Sequence, residues 1–85
     1  METIDYSTNN AWGFGGSYGT EYRFESGWRV HRGTLCYRNG FGGKTIYAID
    51  PAGKRYLDLQ LKGALKSVEL PTEVSDLVRS LNPRA

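Results

Sequence analysis

The sequence predicts a small α+β domain, an antiparallel sheet of three to five strands with one C-terminal helix packed on it. Three observations carry this expectation. Apolar and polar residues alternate over much of residues 22–61, the period of a half-buried strand. Turn signals interrupt that stretch at Ser26-Gly27, Arg38-Asn39-Gly40 and Asp50-Pro51-Ala52-Gly53. Beyond it, Val74, Leu77, Val78 and Leu81 fall at i, i+3, i+4 and i+7, one apolar stripe along a helix. Eighty-five residues are enough for one such domain and too few for a second.

Taken in order, residues 1–19 read as an irregular, flexible segment rich in Gly and aromatics, and residues 20–85 as the domain. Tyr22 and Phe24 alternate with Arg23 and Glu25 as a short strand. Trp28 to Tyr37 reads as a longer strand whose apolar phase shifts, with Trp28 and Val30 even and Leu35 and Tyr37 odd. Because side chains alternate with period 2, a bulge or kink is expected at Gly33. Residues 44–50 and 54–61 form the clearest hairpin, closed by a type I turn with Pro51 at its second position and Gly53 at its fourth. With Asp50 opposite Lys54, Ile49 faces Arg55, Tyr47 faces Leu57 and Thr45 faces Leu59. Tyr47, Ile49, Leu57, Leu59 and Leu61 then make the core side, while Lys44, Ile46, Ala48, Lys54, Tyr56 and Asp58 make the other. Over residues 62–70, Ala64, Val68 and Leu70 alternate with polar positions as a further strand does. Thr72 is placed to cap the helix, Glu73 and Asp76 suit its positive end, and Asn82-Pro83 stops it.

The formal charge of +2 is unevenly distributed. Residues 1–22 carry −3 from Glu2, Asp5 and Glu21. Residues 23–66 carry +6, nine Lys and Arg against Glu25, Asp50 and Asp58, and residues 67–85 carry −1. A basic middle points either to an anionic partner surface or to a wet sheet face. The single cysteine, Cys36, excludes an intrachain disulfide and suits a cytoplasmic protein. METIDYSTNN lacks the basic and apolar regions of a secretory signal, and no apolar run is long enough to span a membrane.

The tetrapeptide GFGG occurs at 13–16 and again at 40–43, where it runs into Lys44-Thr45. It is not a phosphate-binding loop, because Arg38 stands where that motif needs its first glycine and Thr45–Ile49 is a strand pattern where a helix is required. Nor is it a repeat, since the flanking residues do not match. Two glycine-rich loops with aromatic tips remain. Catalytic and metal-binding constellations are missing from the pattern. His31 and Cys36 are the only residues of their kinds, and an odd separation on one strand sends them to opposite faces unless a bulge intervenes. The expectation is a binding protein, not an enzyme, without metal or cofactor.

Two kinds of partner fit. Aromatic residues make up 13% of the chain, and Tyr, Trp and Arg are the types that anchor protein interfaces. Trp12, Phe14, Arg38, Phe41, Lys44, Lys54, Arg55 and Tyr56 are the candidate contact residues for a larger protein or nucleoprotein complex. The alternative is a single-stranded nucleic-acid module, in which strands offer Arg and Lys among stacking aromatics. Residues 47–60 also resemble the terminal hairpin of the small phage anti-CRISPR proteins that inhibit type I-F systems, through Ala48, Gly53-Lys54-Arg55, the aromatic Tyr56, Asp58 and Gln60. That resemblance implies an inhibitor docking on a CRISPR effector through basic residues.

Overall fold

Alternation and turns close the chain into one antiparallel meander. In a computed structural model, which describes residues 1–9, 15–37 and 42–85, the strands are β1 (Glu2–Asn9), β2 (Gly15–Arg23), β3 (Arg29–Tyr37), β4 (Gly42–Ile49) and β5 (Arg55–Tyr56). They lie in sequence order in a single sheet, and the helix α1 (Thr72–Leu81) follows. The expected α+β class is the one observed.

Of the residues expected to be an irregular lead-in, 2–9 and 15–19 are instead sheet. β1 pairs with β2 along its whole length, from Glu2 opposite Arg23 to Asn9 opposite Gly16. Thr3, Asp5 and Ser7 alternate with Ile4, Tyr6 and Thr8, so neither face of β1 is apolar enough to announce a strand by hydrophobicity alone. Thr and Tyr nevertheless suit a pleated, half-buried edge. Likewise the glycine pairs of the two GFGG copies, Gly15-Gly16 and Gly42-Gly43, open β2 and β4. Thr45 to Ile49 is a strand, as the argument against a phosphate loop required.

No bulge interrupts β3. Pairing runs unbroken through Gly33, which lies opposite Gly19 on one side and Thr45 on the other. The two glycines serve close approach instead. A β-carbon at Gly19 would sit 2.1 Å from the Arg32 carbonyl oxygen, and one at Gly33 would sit 2.4 Å from the Tyr18 carbonyl oxygen and 2.5 Å from the Tyr6 hydroxyl.

The hairpin tip follows the sequence closely. Gly53 has φ 91°, and its N–H donates to the Asp50 carbonyl at 2.9 Å while Asp50 N–H donates to the Lys54 carbonyl. The Asp50 carboxylate accepts from the N–H groups of Ala52 and Lys54, each at 2.9 Å. Ile49 faces Arg55 as expected. Past Tyr56, however, the chain leaves the sheet. Asp58 adopts φ 62°, a left-handed turn that Asp tolerates better than most residues, so Tyr47–Leu57 and Thr45–Leu59 pairs do not form and Leu57 and Leu61 are exposed. The gap beside β4 is filled differently. Leu59 N–H donates to the Ile46 carbonyl at 2.9 Å, and the Gln60 side-chain oxygen accepts from Ile46 N–H at 3.1 Å. Residues 62–70 form turns and one 3-10 turn at Ala64–Lys66, entered through Gly63 at φ 73°, not a strand.

The helix buries its stripe on the face opposite to the one expected. Val74 and Val78 are fully buried against Val30, Ile46, Ala48 and Leu59, with Tyr22, Phe24, Trp28, Tyr56, Leu77 and Leu81 packed around them. Only Leu59 belongs to the predicted partner set. Both faces of β4 carry apolar residues, Ile46 and Ala48 on the helix side and Tyr47 and Ile49 on the other. Pro71, not Thr72, occupies the cap position, and no side chain caps the helix. Its N-terminus is instead tied to the sheet by the Ser26 hydroxyl, 2.7 Å from the Glu73 carboxylate. Past Leu81, Asn82 donates its amide to the carbonyls of Leu59 and Gln60 at 3.2 and 2.7 Å, and Gly63 N–H donates to the Arg84 carbonyl.

Candidate functional site

The register places Ile4, Tyr6, Glu21, Arg23, Arg29, His31, Tyr47, Ile49 and Arg55 on the sheet face that the helix leaves bare. Glu21 is opposite His31, and His31 is opposite Tyr47, one row across β2, β3 and β4. Tyr6 is directly opposite Gly19, next to Gly33, so its ring crosses the floor that the two glycines leave open.

His31 is the hub. Its ring stacks on Tyr47, with centroids 4.7 Å apart and planes 20° apart, and meets Tyr6 at 5.0 Å, tilted 55°. Its Nδ1 lies 3.0 Å from the Tyr47 hydroxyl, and its Nε2 lies 2.7 Å from Glu21 Oε1. A carboxylate beside Nε2 requires the proton on that nitrogen, so neutral His31 accepts from the Tyr47 O–H at Nδ1. The Glu21 oxygen sits off the line of the N–H, and Nε2, though buried, has no well-aligned acceptor. Close approach here is electrostatic more than directional.

Glu21 is 6% exposed, unusual for a carboxylate. Arg23 Nε donates to its Oε2, and Arg29 Nη1 is 3.8 Å from its Oε1. Burial pushes the Glu21 carboxyl up, but the Arg23 hydrogen bond, the attraction of His31 once acid protonates it, and the Arg23 charge outweigh it and hold the group below its ordinary value. Burial also dominates at His31, pushing it below its ordinary value despite the pull of Glu21, with Arg29 and Arg55 adding to the depression. The Tyr6 hydroxyl is pushed up by burial and by Tyr47 and Glu21. The row is therefore a neutral imidazole between a phenol and an ionised, arginine-clamped carboxylate.

Of the contact residues expected from sequence, the four that are described divide between the two faces, Arg55 on the open one and Lys44, Lys54 and Tyr56 on the helix side. Trp12, Phe14, Arg38 and Phe41 lie outside the described residues. Their flanks, Asn9 and Gly15, Tyr37 and Gly42, all stand at one end of the sheet, and the 24–28 and 50–54 turns stand at the other. Arg55 shares the open face with Ile49, Arg29 and Arg23. Lys54 and Tyr56 belong to the helix side. The Lys54 ammonium is 5.2 Å from the Tyr56 ring centroid, that ring is 5.4 Å from Trp28, and the Tyr56 hydroxyl donates to the Asp50 carboxylate at 3.2 Å. Through these contacts Tyr56 braces the hairpin. Lys44 is exposed on the helix side, beyond the helix end. The sequence does not group Tyr6, Glu21, His31 and Tyr47, because the cluster exists only once four strands are in register.

Among the described residues, no three His, Cys, Asp or Glu side chains converge as a metal site requires, and no helix is long and apolar enough to cross a membrane. No family model, curated protein or solved structure matches the chain.

Proposed function

We propose that this chain is a binding domain that docks on a larger protein through the open sheet face, with the Tyr6, His31 and Tyr47 cluster at its centre and Arg23, Arg29 and Arg55 at its rim. The observation that carries the reading is the fixed polar-aromatic row on the face opposite the helix. Its rings and charges are ordered before any partner arrives, and pre-ordering lowers the entropic cost of association. Tyr and Arg are also the residue types that dominate interface energies.

The same row argues against single-stranded nucleic acid as the ligand of this face. Base stacking needs free ring faces, and His31 and Tyr47 each commit one face to the other. The resemblance of residues 47–60 to type I-F anti-CRISPR proteins extends the proposal to an inhibitor of a CRISPR effector.

Capture from a lysate of the native host, repeated with Arg55→Glu and with Tyr6→Ala, tests the reading. Both variants are expected to lose the partner while circular dichroism stays native. Undiminished capture by both variants removes the open face from consideration. Binding to single-stranded DNA that weakens steeply with salt and is lost in Arg55→Glu replaces the protein reading with the nucleic-acid one.

A further inference from the structure

Helix α1 ends at Leu81, and β2, β3 and β4 run on past it on the helix side. In the angle between them is a half-open cavity of about 400 Å³, within the range that small-molecule clefts occupy. Thr20, Arg32, Thr34 and Lys44 form its floor, Gln60 and Leu81 stand on its walls, and Tyr18 is at the mouth. Tyr18 is 53% exposed.

The charges on this floor are unbalanced. Arg32 is opposite Ile46 and Thr34 opposite Lys44, which makes Arg32 and Lys44 diagonal neighbours on one face, within reach of each other's side chains. Among the described residues, neither makes an ion pair with a carboxylate. The acid that shares the face, Asp5, is separated from Arg32 by Thr20, whose hydroxyl donates to it at 3.5 Å. Two like charges side by side repel unless an anion sits between them. Gln60 adds a donor. Its oxygen is committed to Ile46 N–H, which leaves its NH₂ as the group free to meet a ligand.

We infer that this cavity binds the phosphate of a nucleotide, held between Arg32 and Lys44, with the sugar near Thr20, Thr34 and Gln60 and the base against the Tyr18 ring. A guanidinium fork beside an ammonium suits a tetrahedral, multiply charged anion better than a carboxylate. An exposed tyrosine at the rim is a stacking platform. The site is on the sheet face opposite the proposed protein-docking surface, so each stands or falls without the other.

The test is a titration of isotope-labelled protein, followed by amide chemical shifts, with AMP, adenosine, inorganic phosphate and an unphosphorylated thymidine octamer as ligands. AMP is expected to saturate, shifting Thr20, Arg32, Thr34, Lys44 and Gln60, and to bind more tightly than either adenosine or phosphate. Arg32→Gln combined with Lys44→Gln should weaken it roughly tenfold or more, because two charge-assisted contacts are lost. Both side chains are exposed, so the thermal melt of the double variant should match the parent. Saturation by the octamer but not by AMP, at these same residues, assigns the phosphate to a strand rather than to a free nucleotide. Adenosine binding as tightly as AMP, a double variant that binds undiminished, or no saturation by any of the four ligands at millimolar concentration overturns the inference.

Discussion

Three strand glycines provide a test in which one substitution, Gly→Ala, has opposite outcomes. At Gly43 an added methyl meets nothing within 4 Å. Loss of backbone freedom in the unfolded chain then favours the variant by roughly 0.4–1 kcal/mol. At Gly33 the methyl meets the Tyr18 carbonyl at 2.4 Å and the Tyr6 hydroxyl at 2.5 Å; at Gly19 it meets the Arg32 carbonyl at 2.1 Å and the Gly33 Cα at 2.5 Å. Ordinary contact begins near 3.4 Å, so β2 and β3 must separate locally by roughly an ångström, a large fraction of the ~4.8 Å strand spacing. Such a separation stretches the flanking ladder hydrogen bonds, each worth about 1 kcal/mol net, and displaces Tyr6 from the histidine row. The expected cost is roughly 2–4 kcal/mol at either position, within the range for overpacking and lost hydrogen bonds combined. A domain of this length has roughly 4–13 kcal/mol in total. Urea unfolding at constant m-value reads the difference as a midpoint shift. Gly33→Ala and Gly19→Ala within about 0.5 kcal/mol of Gly43→Ala would refute the close-approach argument.

Burial predicts a second contrast, on the helix side. Leu59 is 1% exposed and its replacement by Ala should cost roughly 2–5 kcal/mol, whereas half-buried Leu77→Ala should cost clearly less; equal losses in thermal or urea melts would mean that the helix packs differently. A third expectation concerns acid. His31 and Glu21 both titrate below their ordinary values of 6.5 and 4.5 in the folded protein. The unfolded chain therefore binds more protons just below each value, and stability falls as pH drops beneath 6.5 and again beneath 4.5. His31→Gln should flatten the first step and leave the second; a parent protein equally stable at pH 5 and pH 7 would contradict the burial of a neutral imidazole.

What could be read from the residues was local. The Asp50–Gly53 turn is specified by Pro51 and Gly53 together, and the helix by a stripe that repeats with the right period. The rest depended on partners distant in sequence. β1 was missed because its inward and outward residues are both largely polar, so its strand character rests on eight backbone pairings with β2. The core face of β4 was reversed because Tyr47 and Ile49 look as apolar as Ile46 and Ala48. The choice was made by the space needed for Val74 and Val78, a property of the helix. His31 and Tyr47 were both visible as individual residues. Their association with Glu21 and Tyr6 needed the register of four strands, which Gly19 and Gly33 fix without any periodic signal of their own.

The side chain of Gln60 also bears on how the sheet's margin is closed to a further strand. A sheet ends in a row of unmet N–H and C=O groups that recruits strands from other chains, the first step toward fibrils. β5 covers Ala48 and Ile49 alone. Beyond it, Leu59 and Gln60 occupy both backbone groups of Ile46, so an incoming strand finds its next docking point only at Lys44, whose charge disfavours a second copy in the same place. On the far edge, β1 itself holds two acids, Glu2 and Asp5, and no Lys or Arg, a like charge that disfavours pairing between matching β1 edges. A short strand completed by an amide plug at one margin, and like charge at the other, both disfavour the addition of a further strand.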